Sequence, residues 1–408
     1  MVTWETTTIG ELLEFKNGLN KSKEFFGQGT PIVNYMDVYK NRGLHAEQLR
    51  GRVTLSAEEI KRFDVRKGDV FFTRTSETPD EVGFASVMLD EVDDCVFSGF
   101  ILRGRPITDK LDINYCQYVF MTEDIRKAIM SGCTYTTRAL TNGKQLSAIE
   151  IQLPEKSEQR YIAETLSDAD TVLSLLEQLI AKKKSVKQGA MQELLTGKRR
   201  LPGFSGEWVK KKIREIGDTS SGGTPSRSIP TYFNGNIPWV TTSELNDNYI
   251  RSTAEKITVD ALNNSSAKLF PKGTVLMAMY GATIGKLGIL DVDATTNQAC
   301  CALFFNKDID SKFMYFLLHY LRAEIIELGS GAGQPNISQT IIRNLTFTIP
   351  QTLTEQTAIA SILSDIDMEI DALTVKLEKA RSIKQGMLSE LLMGRIRLIK
   401  GDVDNGQN

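Results

Sequence analysis

A long stretch occurs twice in this 408-residue sequence, and the repeat limits the folds that the chain can adopt. The first copy covers residues 154–201 and the second covers residues 350–398. From Glu158 and Glu355 onward the two copies align without a gap, at an offset of 197 residues. One copy lies in the middle of the chain and the other lies near its end. The remaining sequence must therefore fill two separate intervals.

Apolar residues in each copy alternate at spacings of four and three, which is typical of a coiled-coil seam. Ser157 and Thr354 are candidates for the N-caps, and Gly197 and Gly394 are expected to end the two helices. Because a helix with one apolar seam needs a partner, we predict that the two copies pair, and the intervening globular segment permits an antiparallel pair. The seam positions are Ile162, Leu166, Leu173, Leu176 and Ile180 in the first copy and Ile359, Leu363, Ile366, Ile370, Leu373 and Leu377 in the second.

A glycine interrupts each predicted helix at an equivalent place, at Gly189 and at Gly386. A glycine inside a helix costs about 1 kcal/mol relative to alanine. We therefore expect a neighbouring backbone to approach closely at both positions. Asp168 and Asp170 fall outside the seam by heptad position, so their carboxylates are expected to point into solvent.

The two intervals share one order of features although most of their residues differ. Trp4 and Trp208 open them, and a glycine follows 14 residues later in each, at Gly18 and Gly222. Short strand-like runs come next, and then a helical stretch, a polar loop and a last strand. The helical spacing covers residues 115–129 in the first interval and 313–328 in the second.

The predicted fold class is therefore α+β, with two globular α/β domains separated by two long antiparallel coiled-coil helices and a pseudo-twofold internal repeat. The predicted boundaries are 1–153 for the first globular domain, 154–200 for the central helix, 201–349 for the second domain, 350–400 for the C-terminal helix and 401–408 for a tail that is expected to be disordered.

The composition argues against most catalytic chemistry. His45 and His319 are the two histidines of the sequence, which leaves little for a Ser-His-Asp triad or a histidine-based metal site. Five cysteines include no CxxC pair, and neither a secretory signal nor a membrane-spanning apolar run is found. These features favour a cytoplasmic protein with reduced thiols, without a metal and without catalytic residues of its own.

Two glycine-rich segments resemble cofactor-binding loops, but neither keeps the required pattern. Residues 327–333 are similar to the loop that methyltransferases use for S-adenosylmethionine, but a helical stretch precedes them and Pro335 follows within two residues. Residues 281–287 have three residues between their glycines, where a phosphate-binding loop has four. We therefore expect no cofactor in this chain.

Both domains carry polar loops that are rich in amides and hydroxyls. Arginine pairs with guanine edges, Asn and Gln pair with adenine edges, and Ser, Thr and Lys bind phosphates, so we predict double-stranded DNA as the ligand. A basic strip at 182–215, with eleven Lys or Arg and three Glu, could follow a polyanion or could be a solvated helix face. The candidate contacts are Arg74, Thr75, Ser76, Tyr135, Thr136, Thr137, Arg138 and Lys144 in the first domain and Thr241, Thr242, Ser243, Tyr280, Thr283, Lys286, Asn297, Gln298, Gln334, Asn336 and Ser338 in the second.

Over essentially its whole length, this arrangement resembles the specificity subunit of type I restriction-modification enzymes. The motifs that carry the resemblance are Ser-Glu-Gln at 157–159, Thr-Glu-Gln at 354–356, Lys-Gln-Gly at 187–189 and 384–386, the linker 200–208 and Gly-Gln-Pro-Asn-Ile-Ser at 333–338. The first domain departs from the last of these motifs, because it has Thr136–Thr141 in that place.

The resemblance implies two target-recognition domains, each of which reads one half of a split, asymmetric DNA sequence. It also implies that the helices act as a spacer and dock two methyltransferase subunits, and that motor-nuclease subunits can join them. S-adenosylmethionine would then bind to the partner methyltransferase, and this chain would be non-catalytic. A stand-alone DNA-binding scaffold protein without a methyltransferase partner is the alternative, and a neighbouring methyltransferase gene would distinguish the two.

Overall fold

The structure is a computed structural model that describes residues 4–135, 137–329 and 336–398. The chain divides into two compact units, residues 1–177 with 376–408 and residues 178–375. Each unit therefore combines one globular domain with parts of both long helices. The predicted tail, Thr136 and Gln334 lie outside the described residues.

Strands of the first domain form where short apolar runs lie between turns. The run at Val70–Thr73 is buried along its whole length, and Gly68 in the turn before it has a φ of 86°, which favours glycine. The strands are β1 (Glu5–Thr8), β2 (Leu13–Asn17), β3 (Phe26–Val33), β4 (Gly43–Leu44), β5 (Arg52–Val53), β6 (Val70–Thr73), β7 (Thr75–Ser76), β8 (Ala85–Met88), β9 (Val96–Phe97), β10 (Ile101–Pro106), β11 (Thr134–Tyr135), β12 (Ala139–Leu140) and β13 (Glu150–Leu153). The helices are α1 (Ile9–Leu12), α2 (Tyr35–Lys40), α3 (Ala57–Arg62), α4 (Cys116–Val119), α5 (Glu123–Gly132), α6 (Gly143–Ser147) and the long α7 (Lys156–Leu194).

A five-stranded sheet in the order β2-β10-β6-β8-β4 is the centre of this domain. Its pairs are antiparallel except for β4 with β8, which is parallel. Smaller sheets have the orders β5-β3-β9, β11-β12-β7 and β1-β13. The main core lies between the large sheet, α4, α5 and the long helices, and Phe72 and Phe120 contact each other edge to face in it.

The second domain repeats this plan. Its main sheet has the order β15-β23-β20-β21-β17, and a four-stranded sheet has the order β18-β16-β22-β19. The strands are β14 (Trp208–Lys212), β15 (Gly217–Ser221), β16 (Ile237–Val240), β17 (Asn248–Ile250), β18 (Glu255–Ile257), β19 (Leu269–Phe270), β20 (Val275–Ala278), β21 (Leu287–Leu290), β22 (Ala294–Thr296), β23 (Cys300–Phe305) and β24 (Thr346–Pro350), the last of which pairs with β14. The helices are α8 (Ile213–Ile216), α9 (Val259–Asn263), α10 (Ser311–Tyr320), α11 (Arg322–Leu328), α12 (Gln339–Asn344) and the long α13 (Leu353–Leu392).

The helical spacing predicted at 115–129 and at 313–328 corresponds to helices in the structure, but in each domain the stretch is divided between two helices. Thr122 has an extended backbone and forms the N-cap of α5, and Glu123 and Asp124 follow it in the first turn. Negative charge at this position stabilises a new helix start and thereby favours the break. In the second domain the break falls at Leu321, between α10 and α11.

The N-caps of the long helices lie two residues before the predicted ones, and the helices end at the predicted glycines. The first helical hydrogen bonds run to the carbonyl oxygens of Glu155 and Thr352, so these residues are the N-caps and the prediction of Ser157 and Thr354 was wrong. The hydroxyl of Thr352 also accepts from the Glu355 backbone N–H at 3.4 Å. Glycines end both helices in the left-handed conformation, with φ of 71° at residue 197 and 65° at residue 394.

Antiparallel pairing of the two helices is confirmed within each unit by ion pairs. In the first unit Asp170 pairs with Lys384, and Glu177 lies 2.7 Å from Arg381. The partner on α13 therefore has a lower residue number as the residue number on α7 increases, as in an antiparallel pair. In the second unit Lys187 lies 2.5 Å from Asp367, which is the same pair at the 197-residue offset. The carboxylate of Asp170 therefore does not simply point into solvent as predicted, and it also accepts from the Tyr118 hydroxyl at 3.1 Å.

Every predicted seam side chain is buried or half-buried, but only the first positions of each copy pack into a globular domain. Ile162 and Leu166 belong to the core of the first domain, and Ile359 and Leu363 belong to the core of the second. The later seam positions lie on the long helices outside these two cores. They are Leu173, Leu176, Ile180, Ile366, Ile370, Leu373 and Leu377.

No backbone approaches the two helix glycines among the described residues. A Cβ atom added at Gly189 or at Gly386 would meet nothing within 4 Å. The predicted close approach within the chain was therefore wrong at both positions.

Candidate nucleic-acid interface

Each globular domain is attached to its long helix through a buried glutamine. Gln159 accepts from the Asp112 backbone N–H at 2.8 Å and donates to the carbonyl oxygens of Lys110 and Pro154 at 2.8 and 2.9 Å. Gln356 makes the equivalent bond to the Asp310 N–H at 2.9 Å. Because both amides are fully buried and paired, they fix the first turn of each helix against its domain.

The glutamate before each glutamine forms a further attachment between helix and domain. In the first domain this attachment, which we call the first joint, consists of Trp4, Glu158 and Arg397. Glu158 is 4% exposed and receives two hydrogen bonds of 2.7 Å from Arg397. The indole N–H of Trp4 donates to the same carboxylate at 3.2 Å. The guanidinium group also lies over the Trp4 ring, 5.7 Å from its centre.

The second joint repeats this geometry with Trp208, Glu355 and Arg200. Arg200 donates to the carboxylate at 2.6 and 2.8 Å, and Trp208 donates to it at 3.3 Å. Glu355 is also 4% exposed. Each joint thus connects the start of one long helix to the segment that follows the other, and the Ser-Glu-Gln and Thr-Glu-Gln motifs have a structural explanation.

At the opposite end of the first domain, six residues at and between the ends of neighbouring strands form what we call the first rim. The backbone N–H of Arg74 donates to Phe100 at 3.0 Å, and the Arg74 carbonyl accepts from Thr141 at 3.0 Å. Gly99 donates to Leu19 at 2.7 Å, which places the Asn20 side chain against Gly99. The members of the first rim are Asn20, Arg74, Thr75, Gly99, Phe100 and Leu140.

The rim and the joint lie at opposite ends of the first domain. Strand β10 begins beside Phe100 and ends at Pro106, and the following residue bonds to Leu12 near the joint. Six extended residues span roughly 20 Å at about 3.3 Å each. The first rim is therefore at the end of the domain that is distant from the helix attachment.

The second domain builds a second rim on the same backbone bonds. The N–H of Met279 donates to Ala299 at 2.9 Å, and its carbonyl accepts from Ile337 at 2.8 Å. Tyr280 pairs with Asn336 as Thr75 pairs with Leu140. The members of the second rim are Thr224, Met279, Tyr280, Gln298, Ala299 and Asn336, in the order of their equivalents Asn20, Arg74, Thr75, Gly99, Phe100 and Leu140.

All six residues differ between the rims, although the backbone bonds of Arg74 and Met279 correspond. The amide that Asn20 supplies in the first rim comes in the second rim from Gln298, which accepts from the Thr224 hydroxyl at 2.6 Å. The same bonds make Ser338 equivalent to Asn142, because both cap the next helix. The Gly-Gln-Pro-Asn-Ile-Ser motif thus corresponds to residues 137–142, one residue later than the sequence alignment placed it.

Most candidate residues of the first domain lie at or beside the first rim. Tyr135 and the exposed residues Thr137 and Arg138 form the hairpin that joins β11 to β12, which pairs with β7. Lys144 is exposed on α6, directly after the hairpin. Ser76 differs from the others, because it is buried and its hydroxyl donates to Glu81 at 2.5 Å.

The candidates of the second domain come from four chain segments. Thr241, Thr242 and Ser243 form a turn whose preceding residue, Val240, accepts from the Asn297 N–H at 2.9 Å. Thr283 and Lys286 are half-buried in the loop that follows Tyr280. The side chain of Ser338 caps α12 and is therefore occupied. The four segments hold the candidates Thr241, Thr242 and Ser243, then Tyr280, Thr283 and Lys286, then Asn297 and Gln298, and finally Asn336 and Ser338.

Sequence reasoning missed four exposed or half-exposed rim residues, Asn20, Phe100, Leu140 and Thr224. The signal that could have found Asn20 and Thr224 is the pair of glycines at 18 and 222, which lie against the backbone of residues 97–98 and 296. Such close contact brings the residue two positions later to the rim.

Burial shifts the pKa of three further titratable side chains, His319, Cys95 and Cys116. Burial lowers the pKa of His319 to about 4, and the nearby Arg322 guanidinium acts in the same direction. Burial raises the pKa of the Cys95 and Cys116 thiols to about 12, which makes them poor nucleophiles. Among the described residues, no group of three or more His, Cys, Asp or Glu could hold a metal ion. In the same part of the chain, no helix is long and apolar enough to cross a bilayer.

Comparison with known families decides the identity of this fold. The sequence matches the type I restriction modification DNA specificity domain twice, over residues 1–185 and 205–381. The chain belongs to the type I restriction-modification specificity family. The two matches also confirm the internal repeat, since each covers one globular domain and most of the helix that follows it.

Relatives within the specificity family extend over most of the chain. The specificity subunit of the type I restriction enzyme MjaVIII from Methanocaldococcus jannaschii is 26% identical over 311 residues, which are 69% of this chain and 70% of that protein. The crystal structure of the type I S subunit from M. genitalium has a TM-score of 0.62 at 18% identity and covers 96% of both chains. The HsdS subunit from Thermoanaerobacter tengcongensis has a TM-score of 0.51 at 16% identity, with 97% of both chains covered. These structures share the predicted fold class with this specificity-family chain.

Proposed function

We propose that this chain is the DNA-binding specificity subunit of a type I restriction-modification complex and that each domain reads one half of a bipartite, asymmetric target. The pair of rims is the observation that carries this proposal. Equivalent backbone bonds present a different residue at each of the six rim positions in the two domains. Two readers with a common frame and different side chains suit two different half-sites, because base edges are distinguished by side-chain chemistry.

The chemistry of each rim suits the edges of base pairs. No partner for the Arg74 guanidinium is found among the described residues, and two guanidinium N–H groups match the O6 and N7 acceptors of guanine. Gln298 and Asn336 are exposed amides that match the N6 and N7 groups of adenine. The exposed side chains of Arg138 and Lys144 would contact the phosphates beside the first half-site.

We further propose that the paired helices set the gap between the half-sites and dock two methyltransferase subunits. In support, α7 keeps four apolar side chains exposed at Val172, Leu175, Leu179 and Val186. Exposed apolar residues at regular helical spacing are typical of surfaces that another protein covers. S-adenosylmethionine would bind to the methyltransferase, motor-nuclease subunits could join the complex, and this chain would carry no catalytic residue.

Methylome sequencing of cells that express the complex tests the proposal. The wild-type complex should methylate one bipartite sequence. The variant Arg74→Ala should relax one half-site, and Asn336→Ala should relax the other, each at a cost of about 1–3 kcal/mol in discrimination. If either variant changed both half-sites or only the gap, the assignment of one half-site to each domain would be wrong.

The alternative function is a stand-alone DNA-binding scaffold protein. Co-purification with a methyltransferase in a 2:1 ratio would favour the specificity subunit. Binding of the isolated chain to DNA without any methyltransferase partner in the host would favour the scaffold.

A further inference from the structure

We propose that Phe100 is an apolar wedge that enters the base stack of the half-site read by the first domain. This inference rests on the proposed DNA-binding function and specifies how one of the two rims reads its sequence. It also predicts an asymmetry, because the second rim has alanine at the position equivalent to Phe100. The first half-site would then be recognised partly through its deformability and the second through hydrogen bonds.

The exposure of Phe100 is the first observation. Its side chain is 60% exposed, whereas the rings at 71, 72 and 97 in the adjoining strands are fully buried. Burying a phenylalanine side chain stabilises a fold, because it removes a large apolar surface from water. Because Phe100 is mostly exposed, its ring contributes little of this stabilisation. Packing within the folded chain therefore does not explain why a phenylalanine occupies this position.

The second observation is that the backbone of Phe100 is held on both sides. Its N–H donates to the Ser98 hydroxyl at 3.4 Å, and its carbonyl accepts from Arg74 at 3.0 Å. The next residue, Ile101, pairs with Thr73 in the central sheet. The ring is therefore presented from a fixed strand end, and a rigid apolar group at such a position can enter between bases.

The third observation is the polar surroundings of the ring. Arg74 is its neighbour on one side, and Asn20, which lies against Gly99, is its neighbour on the other. An arginine and an amide can hold the flanking base edges and phosphates while an apolar group separates two base pairs. Isolated exposed phenylalanines are common on protein surfaces, but this one lies between two groups that suit nucleic acid.

The equivalent position in the second domain is Ala299, which has the same backbone bonds. Its N–H donates to the Asn297 side chain at 3.1 Å, and its carbonyl accepts from Met279 at 2.9 Å. The residue is only 6% exposed. A methyl group at this depth cannot reach a base stack, so the wedge belongs to the first domain alone.

A wedge at this position favours base steps that unstack easily. Pyrimidine–purine steps such as TA and CA are the most flexible, so they are the easiest to unstack. We therefore expect the first half-site to contain such a step beside the base that Arg74 contacts. The second half-site need not contain one.

The test uses the full complex and the target defined by methylome sequencing. One set of duplexes carries 2-aminopurine at successive positions of the first half-site, and a second set carries it in the second half-site. The fluorescence of 2-aminopurine rises when the base loses its stacking. Away from the methylated bases, which the methyltransferase subunits extrude from the stack, we expect a rise on binding at one step of the first half-site and no comparable rise in the second.

Three variants separate the wedge from general effects on folding. Phe100→Ala should abolish the fluorescence rise and weaken specific binding by about 5- to 100-fold, which corresponds to the loss of one stacking contact. Phe100→Leu should keep part of both, because leucine is shorter than phenylalanine but is still an apolar group that can act as a wedge. Ile107→Ala is the matched control, since Ile107 is 56% exposed at the other end of the same strand and should change neither.

The outcomes distinguish the wedge from the proposed function. Specific binding with no fluorescence rise, or with an unchanged rise in Phe100→Ala, would overturn the wedge and leave DNA recognition in place. Absence of any sequence-specific binding by the wild-type complex would overturn the proposed function and the wedge with it. Thermal unfolding of Phe100→Ala at the wild-type temperature would show that its loss of binding is not a loss of fold.

Discussion

Tyr115 and Phe313 occupy equivalent positions in the two domains and differ by one hydroxyl group. Both backbone N–H groups bond to the aspartate three residues earlier, at 3.3 and 2.9 Å, and both rings are fully buried. The Tyr115 hydroxyl finds no hydrogen-bond partner among the described residues. Burial raises the pKa of this hydroxyl well above its usual range, so it stays protonated.

We expect Tyr115→Phe to stabilise the first unit by about 1 kcal/mol, because an unsatisfied buried hydroxyl costs about 1–3 kcal/mol. Urea unfolding measures the change. Tyr118→Phe is the control and should destabilise, since the Tyr118 hydroxyl donates to Asp170 at 3.1 Å. A loss of stability in Tyr115→Phe would mean that its hydroxyl has a partner.

His319 gives the second unit a pH dependence. Burial and the nearby Arg322 lower its pKa from 6.5 to about 4. Below pH 6.5 the unfolded chain therefore binds a proton at this residue before the folded chain does. The stability that the neutral imidazole contributes is present above pH 6.5 and is lost as the pH falls toward 4.

We expect His319→Gln to lose less stability than the wild type between pH 7 and pH 4.5, by about 1–2 kcal/mol after allowance for the partial exposure of the ring. Chemical unfolding of both proteins across this range measures the difference. His45→Gln is the control, because His45 is more exposed beside Asp90. Parallel curves for wild type and His319→Gln would contradict the prediction.

Single residues also show what the sequence could predict about the site. The hydroxyl-rich and amide-rich loops led to β7, the hairpin after Tyr135 and the turn at 241–243, and their contact with DNA stays a prediction. Asn20 and Phe100 were missed because they reach the rim through hydrogen bonds between residues that are far apart in sequence. Conversely, Ser76 looked like a contact residue, but its neighbour Glu81 takes up its hydroxyl, and no local pattern indicates that pair.

At the scale of secondary-structure elements, the joints explain why the helix ends are so alike. The carboxylates of Glu158 and Glu355 are almost completely buried and each is paired with an arginine in a two-bond geometry. Such a pair contributes little when it is intact, but removal of one partner leaves a buried charge.

We expect Arg397→Met to destabilise the first unit by about 3–5 kcal/mol, because Glu158 would remain buried without its partner. The double variant Arg397→Met with Glu158→Gln should recover part of this loss. Lys183→Met is the control and should cost less than about 1 kcal/mol, since its pair with Glu369 is exposed. Equal effects of Arg397→Met and Lys183→Met in calorimetry would show that the joint is not buried in solution.

The two helix glycines provide a test that separates folding from docking. Because nothing within the described chain lies near Gly189 or Gly386, alanine at either position should stabilise its helix by about 1 kcal/mol. If a methyltransferase subunit packs against these bare turns, the same variants should weaken its binding. Urea unfolding and pull-down of the methyltransferase measure the two effects, and a loss of stability in the isolated chain would contradict the first.

The helix pattern was the most predictable part of the chain. The heptads, the antiparallel pairing and the glycine ends at 197 and 394 followed from spacing and backbone preference. The helix starts were misplaced because Glu155, which offers a poor capping side chain, is the N-cap of α7. The joints were not predicted, since they combine a tryptophan, a glutamate and an arginine that no local motif connects.

At the scale of the whole molecule, the proposed spacer function makes a quantitative prediction. Insertion of one heptad into both long helices adds about 10 Å, since each helical residue rises about 1.5 Å. This length corresponds to about three base pairs at roughly 3.4 Å per pair. Methylome sequencing should therefore show a wider gap with both half-sites unchanged. Altered half-sites beside an unchanged gap would contradict the spacer.

The repeat, the α+β class and the order of the domains could be predicted because they depend on the whole sequence pattern. The division into units could not, because it cuts through both long helices between residues 177 and 178 and between 375 and 376. Long-range packing sets these divisions. Heptad spacing is uniform across them and gives no sign of where they fall.

This division has a consequence for synthesis on the ribosome. The second unit is one continuous segment and can close as soon as residue 375 has emerged, whereas the first unit needs residues from both ends of the chain. Leu391 and Leu392 complete its core and Arg397 completes its joint. The domain that is made first is therefore the last to be finished, although domains usually fold in the order of their synthesis. A nascent chain that stops early exposes an apolar cleft in its N-terminal domain, and chaperones and proteases can recognise it by that cleft.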